Sequence, residues 1–201
     1  MGLLDRRPAA PDTDAWLVIG LGNPDDEYAS SRHNLGARVV ARLAERCGVK
    51  LKRSSRTRSQ VAETRDGAAR LILARPAGYM NESGGPASLL VRFYKTPLER
   101  VVVVHDEIDL AAGRLQVRRG GGTAGHNGLK DVVKALGSPG FVRVRMGVGR
   151  PPGRQDPADY VLEPIPKRLA EDFAVLVERA ADAVLDVVHL PLERAQDRNN
   201  R

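Results

Sequence analysis

The run Val101-Val102-Val103-Val104 places four β-branched residues in succession with no polar position among them. A strand sends alternate side chains to opposite faces, so this run offers valine to both sides of a sheet and needs cover on both. That is the signature of a central strand in a parallel sheet with helices packed above and below. Trp16–Leu21 (WLVIGL) is a second continuous apolar run, stopped by Gly22-Asn23-Pro24. Between Arg32 and Cys47 the apolar residues Leu35, Val39, Val40, Leu43 and Ala44 recur at helical spacing, and Gly48 supplies the stop. Gln60–Thr64 and Arg70–Ala74 flank Arg65-Asp66-Gly67 and predict a hairpin. Gly85-Pro86 opens a helix to about Tyr94. Leu115–Arg118 alternates as a strand, Gly120–Gly128 is a glycine-rich loop, and Leu129–Leu136 is helical. Phe141–Gly149 alternates Val and Met with Arg and predicts a strand with one cationic face; a last helix covers about Ile165 to Val188. Interleaved strands and helices in 201 residues, with no repeat or linker, predict a single α/β domain on a mixed sheet.

No apolar run is long enough to span a bilayer. Met1–Pro11 carries charges and no apolar core, unlike a secretory signal, and residues 1–14 read as a flexible leader. The expectation is a cytoplasmic protein. One cysteine, Cys47, rules out an internal disulfide framework and any cysteine-built zinc site, and its place in a helical pattern predicts packing rather than reactivity.

The net charge of +7 is unevenly spread. Residues 50–75 carry eight basic residues against Glu63 and Asp66, a net of +6; residues 111–154 carry nine against Asp131, a net of +8. The rest of the chain is therefore at −7. Two cationic segments on an acidic body suit a polyanion, because clustered cations gain from counterion release, although a solvated basic surface has the same composition. Aromatic residues make up 4%, too few for broad base stacking, so a folded or duplex nucleic acid gripped by its backbone fits better.

Several chemistries fail on the residues. Gly20-Leu21-Gly22 begins like a dinucleotide fingerprint, but position 25 is Asp25, and Pro24 interrupts the turn. Ser83 lacks the upstream glycine of a nucleophile elbow. His33, His105, His126 and His189 are scattered, with no pair or cluster at metal-ligand spacing in the sequence. What remains is a set of polar residues in loops after predicted strands: Asn23 and His33, then Asn81, Asp106 and Asn127. Ligands of open α/β sheets bind at the carboxyl ends of strands, so these loops are expected to converge on one crevice. One imidazole, one carboxylate and three amides, with no strong nucleophile, suit attack of water on an ester. The imidazole removes a proton, the carboxylate holds its tautomer, and the amides meet the developing oxyanion. Singly, each residue also has a structural reading, as turn residue, helix cap or first-turn histidine.

These blocks together resemble the bacterial-type peptidyl-tRNA hydrolases. The resemblance runs through Gly20-Leu21-Gly22-Asn23-Pro24 with Tyr28, Arg32-His33-Asn34-Leu35-Gly36, Pro76–Gly84, and His105-Asp106-Glu107-Ile108-Asp109. It continues through Gly120–Leu129 and Arg143–Pro151. It implies a phosphorylase/hydrolase-like fold with a twisted, mostly parallel sheet, and a monomeric enzyme without metal or cofactor. Its substrate is the ester joining a peptide to the 3′-terminal ribose of tRNA. By the same resemblance His33 is the base toward water, Asp106 supports it, and Asn23 contacts the histidine and the ester. Asn81 with Tyr79 and Met80 binds the peptide main chain and the tRNA end, Asn127 holds substrate and water, and Tyr28 contacts the tRNA terminus. Arg118, Arg143 and Arg145 hold backbone phosphates.

Three positions depart from the family's usual residues: Asp25 for Gly, Ser31 for Thr and Arg75 for Lys. Asp25 matters most, since it adds negative charge near the expected tRNA end. Some relatives of this fold serve as RNA-binding factors without hydrolysis, and the basic segments suit that alternative equally. The set of His33, Asp106 and three asparagines favours the enzyme.

Overall fold

A computed structural model describes residues 14–200; the leader read over residues 1–14 lies outside them except for Asp14. Seven strands form one sheet in the order β2-β3-β4-β1-β5-β7-β6. They are β1 (Trp16–Gly20), β2 (Lys52–Ser54), β3 (Ser59–Asp66), β4 (Ala69–Pro76), β5 (Val101–Glu107), β6 (Leu115–Arg119) and β7 (Val142–Gly147). The central strands β4, β1, β5 and β7 are parallel, with antiparallel partners at both edges. The helices are α1 (Leu35–Arg46), α2 (Gly84–Tyr94), α3 (Asn127–Leu136), α4 (Pro157–Leu162), α5 (Ala170–His189) and α6 (Leu192–Asn199).

β5 behaves as its sequence requires: all seven residues are buried between two parallel neighbours. Val102 and Val104 enter the core layer shared with α1 and α5, while Val101 and Val103 enter the opposite layer, to which α2 and α3 contribute. β1 divides the same way, Val18 to one layer and Leu17 and Ile19 to the other. From β1 the chain leaves toward β4, and from β5 toward β7, so the gap beyond the carboxyl ends of β1 and β5 is a topological switch point.

Two glycines bring the loops together there. A Cβ on Gly36 would lie 2.1 Å from the Val104 carbonyl oxygen, and one on Gly20 would lie 2.2 Å from the Gly36 oxygen. Only glycine lets the first turn of α1 press onto β1 and β5 this closely. The segment before α1 is thereby carried against the end of β5.

The expected helix over Arg32–Cys47 divides into a 3₁₀ turn (Arg32–Asn34) and α1, and the last helix likewise begins with a 3₁₀ turn at Lys167–Leu169. The hairpin turns at Gly67, one residue beyond Asp66, with φ of +56°. Cys47 is half-buried at the end of α1. Among the described residues no helix is long and apolar enough to cross a membrane.

Candidate active site

A cleft of about 640 Å³ opens at the switch point. Asn23 follows β1 and His33 sits in the 3₁₀ turn before α1; Asp106 lies within β5; Tyr79, Met80 and Asn81 follow β4; His126 and Asn127 begin α3. Helix α4 supplies an apolar wall through Val161 and Leu162. The convergence expected of these loops is realised, and Tyr28 also lines the cleft.

Asp106 is the hub. It is 2% exposed, and its Oδ1 lies 3.0 Å from both His33 Nδ1 and His126 Nε2; its Oδ2 is 3.1 Å from His33 Nδ1. Burial alone would raise this carboxyl, but the charges and hydrogen bonds of the two imidazoles outweigh it and hold the group below its ordinary range. An ionised carboxylate only accepts, so each histidine turns an N–H toward it. The backbone N–H of Leu129 donates to His126 Nδ1 at 3.2 Å, which fixes His126 as the Nε2–H tautomer. His33 donates through Nδ1, which leaves the lone pair of its neutral form on Nε2. The two rings lie 4.6 Å apart, centre to centre.

Asn23, 5% exposed, is oriented on every side. The Asn34 side chain accepts from its backbone N–H at 2.8 Å and donates to its carbonyl at 3.0 Å, as a neighbouring strand would. Its own Oδ1 accepts the Met80 N–H at 2.8 Å, which turns the amide NH₂ into the cleft as a donor. Asn81 and Asn127 are exposed in the cleft wall, with no side-chain hydrogen bond among the described residues. Asp25 accepts a hydrogen bond from the Tyr79 hydroxyl and Glu27 one from Tyr28, which raises both phenols above their usual range. The unusual Asp25 thus has a partner at the cleft mouth.

The basic strand β7 does not present the expected cationic face. Arg143 is 1% exposed and donates to the carbonyls of Gly122 and Gly121 at 2.6 and 2.7 Å. It lies beneath the glycine-rich loop and anchors it, so a phosphate has no route to its guanidinium. Burial, then the neighbouring Arg145 and Arg118, lowers its affinity for the proton. Arg145 is paired with Glu107 at 2.8 Å and bonded to Gln116, its side chain 13% exposed. Arg118 is exposed on β6, its guanidinium lying over Gly121, and it alone of the three faces solvent freely.

Sequence spacing gave no sign of His126, Asn34 or the trio of His33, Asp106 and His126, whose potential ligand atoms lie within 4.8 Å of one another. They come from three separate segments, a 3₁₀ turn, strand β5 and the loop before α3, so no local motif announces them. The protons on both imidazole edges facing Asp106 make the trio a hydrogen-bonded network. His105, fully buried beside it, donates through Nδ1 to the Asp106 carbonyl at 2.6 Å, and its Nε2 has no hydrogen-bond partner.

Fold and site define an α/β protein with a carboxylate-held imidazole opening on an amide-lined cleft at a sheet switch point. Such an arrangement has the groups needed to take a proton from water. The family model for peptidyl-tRNA hydrolase matches residues 17–201, and the chain belongs to that family. It is 51% identical to the peptidyl-tRNA hydrolase of Frankia casuarinae over 183 residues, covering 91% of this chain and 92% of that protein, and 50% identical to that of Frankia alni. A crystal structure of peptidyl-tRNA hydrolase from Acinetobacter baumannii superposes with a TM-score of 0.87 at 31% identity, covering 94% of this chain and 95% of the other.

Proposed function

We propose that the protein hydrolyses peptidyl-tRNA, releasing free tRNA and peptide, with His33 as general base. The observation that carries this reading is the His33–Asp106 pair in the cleft wall, with no hydrogen-bond partner on the imidazole Nε2 among the described residues. His33 Nε2 takes a proton from water as the water oxygen bonds to the ester carbonyl carbon. The Asn23 NH₂ donates to the carbonyl oxygen as it becomes an oxyanion. The carbon–oxygen bond to the ribose then breaks, and the imidazolium returns its proton to the ribose oxygen. Asp106 stabilises the imidazolium in between. Asn81 and Asn127 are the amides that position the peptide main chain and the tRNA end, beside Tyr79, Met80 and Tyr28. Arg118 contacts backbone phosphate. Family membership supports the reaction, and the exposed amides support the substrate contacts.

The test is release of tRNA from N-acylated aminoacyl-tRNA in the presence of EDTA, with His33→Ala alongside. Wild-type turnover is expected, and His33→Ala is expected to lower it by at least about 10²-fold with tRNA binding retained. Binding of tRNA without any release by the wild type would leave an RNA-binding factor in its place.

A further inference from the structure

No residue of the basic segment at 50–75 lines the cleft, although Arg75 reaches the Asn23 carbonyl at 3.5 Å, and the structure divides the rest in two. On the β3–β4 hairpin Arg70 pairs with Glu63 at 2.7 Å, and Asp66 bonds His189. Lys50, Lys52, Arg53, Arg56 and Arg58 are instead exposed, and none has a carboxylate partner among the described residues. Lys50 precedes edge strand β2, Lys52 and Arg53 lie on it, and Arg56 and Arg58 are on the turn that joins it to β3. Glu63 is the one carboxylate lining the groove of about 420 Å³ beside Lys50, Lys52 and Arg53, and it is already held by Arg70 and by the Tyr94 hydroxyl at 3.1 Å.

Lysine on an edge strand also blunts edge-to-edge pairing, which accounts for Lys52. It does not account for two further arginines on the turn. Arg58 even occupies φ of +50°, where glycine or asparagine would be less strained.

The placement is specific. β2 is antiparallel to β3, and β3 to β4, so β2 points the same way as β1. The β2–β3 turn therefore projects from the sheet edge that bears the cleft. The Arg58 carbonyl accepts the Ala77 N–H at 3.1 Å, two residues before Tyr79 in the cleft wall. Arg118 on β6 stands at the opposite margin, six strand spacings or about 29 Å across the sheet. A short 3′ end seated in the cleft cannot reach both margins; a folded tRNA can.

We propose that the strip Lys50, Lys52, Arg53, Arg56 and Arg58 is a second phosphate-binding surface, which holds the backbone of the tRNA body away from the reacting end. This rests on the substrate reading above. The experiment compares wild type with Lys50→Gln/Lys52→Gln/Arg53→Gln/Arg56→Gln. The substrates are full-length N-acetyl-aminoacyl-tRNA and an N-acetyl-aminoacyl ester of a short CCA oligonucleotide. For full-length substrate, KM is expected to rise at least tenfold at about 0.1 M salt, and the slope of log affinity against log salt to flatten by about 3. For the short substrate both are expected to stay within about twofold. An unchanged salt slope on full-length tRNA overturns the proposal, as does equal weakening by Lys95→Gln/Lys167→Gln/Arg168→Gln/Arg194→Gln, which removes the same charge elsewhere. Wild-type failure on both substrates would overturn the hydrolase reading instead.

Discussion

Asp106→Asn isolates the charge at the centre of the site with almost no change of shape. In the native protein Oδ1 accepts from both histidines at 3.0 Å, and Oδ2 stands 3.1 Å from His33 Nδ1. An asparagine with its oxygen kept toward His126 turns an NH₂ toward His33. That donor faces an N–H, and the clash is relieved when His33 shifts its proton to Nε2, the atom that must accept from water. The imidazolium also loses its counter-charge. Two unit charges about 4 Å apart attract by about 4 kcal/mol at an effective dielectric near 20. At 1.4 kcal/mol per tenfold, that corresponds to a loss of about 10³-fold in kcat, with KM expected to change little because Asp106 is only 2% exposed at the floor of the cleft. Single-turnover release of labelled tRNA from N-acetyl-aminoacyl-tRNA measures it. In the double variant with His33→Ala the loss should be no greater than that of the worse single variant, since the pair acts as a unit. Activity of Asp106→Asn within tenfold of wild type, or additive losses in the double variant, would refute the reasoning.

Arg118→Ala is expected to flatten the salt dependence of tRNA binding by about 0.7–0.9, one phosphate contact, whereas Arg143→Met should leave the slope unchanged and lower kcat about tenfold by releasing the loop before His126 and Asn127; a lowered slope in Arg143→Met would contradict its burial. The buried His105 is lowered to about 3, first by burial and then by its electrostatic interaction with the neighbouring His126. The unfolded chain takes up this proton near pH 6.5 and the folded protein does not, so stability falls as pH falls from about 6.5 to about 3, by up to ~1.4 kcal/mol per pH unit. The lowered carboxyl of Asp106 acts in the same direction, its contribution being lost as pH falls. His105→Asn keeps a donor toward the Asp106 carbonyl and removes the proton, so urea unfolding between about pH 4 and 6 should show a shallower slope; an unaltered slope would show that His105 does not titrate on unfolding.

What the sequence makes legible follows from how local each signal is. The sheet centre could be read because β1 and β5 carry apolar residues on both faces, a pattern that no edge strand tolerates. The cleft residues Asn23, His33, Asp106 and Asn127 could be gathered because each follows or ends a recognisable strand. β2 was invisible because Lys-Arg-Ser has no apolar face; it exists as a strand only through its pairing with β3. α4 and α6 are too short for periodicity to declare them. Arg143 departs from its pattern for a different reason. An alternating Arg-Val-Arg pattern reads as a wet face, and only the tertiary fold lays the carbonyls of Gly121 and Gly122 over that face, replacing water as acceptors.

That burial has a chemical consequence for the base. A free guanidinium near His33 would oppose formation of the imidazolium and so weaken the base when water is deprotonated. Of the two arginines of β7, Arg145 is countered by the Glu107 carboxylate, and the guanidinium of Arg143 is turned to two backbone carbonyls of the glycine-rich loop. The exposed cations proposed above to meet RNA stand at the margins of the sheet, on β6 and along β2, where a salt-dependent attraction to phosphate is useful. The carboxylate Asp106 is the charge kept in direct contact with His33, and its sign favours the proton transfer. On the proposed reading, this division between a cationic frame and an anion-supported base lets one small domain attract a polyanion while a carboxylate supports the imidazole that takes the proton.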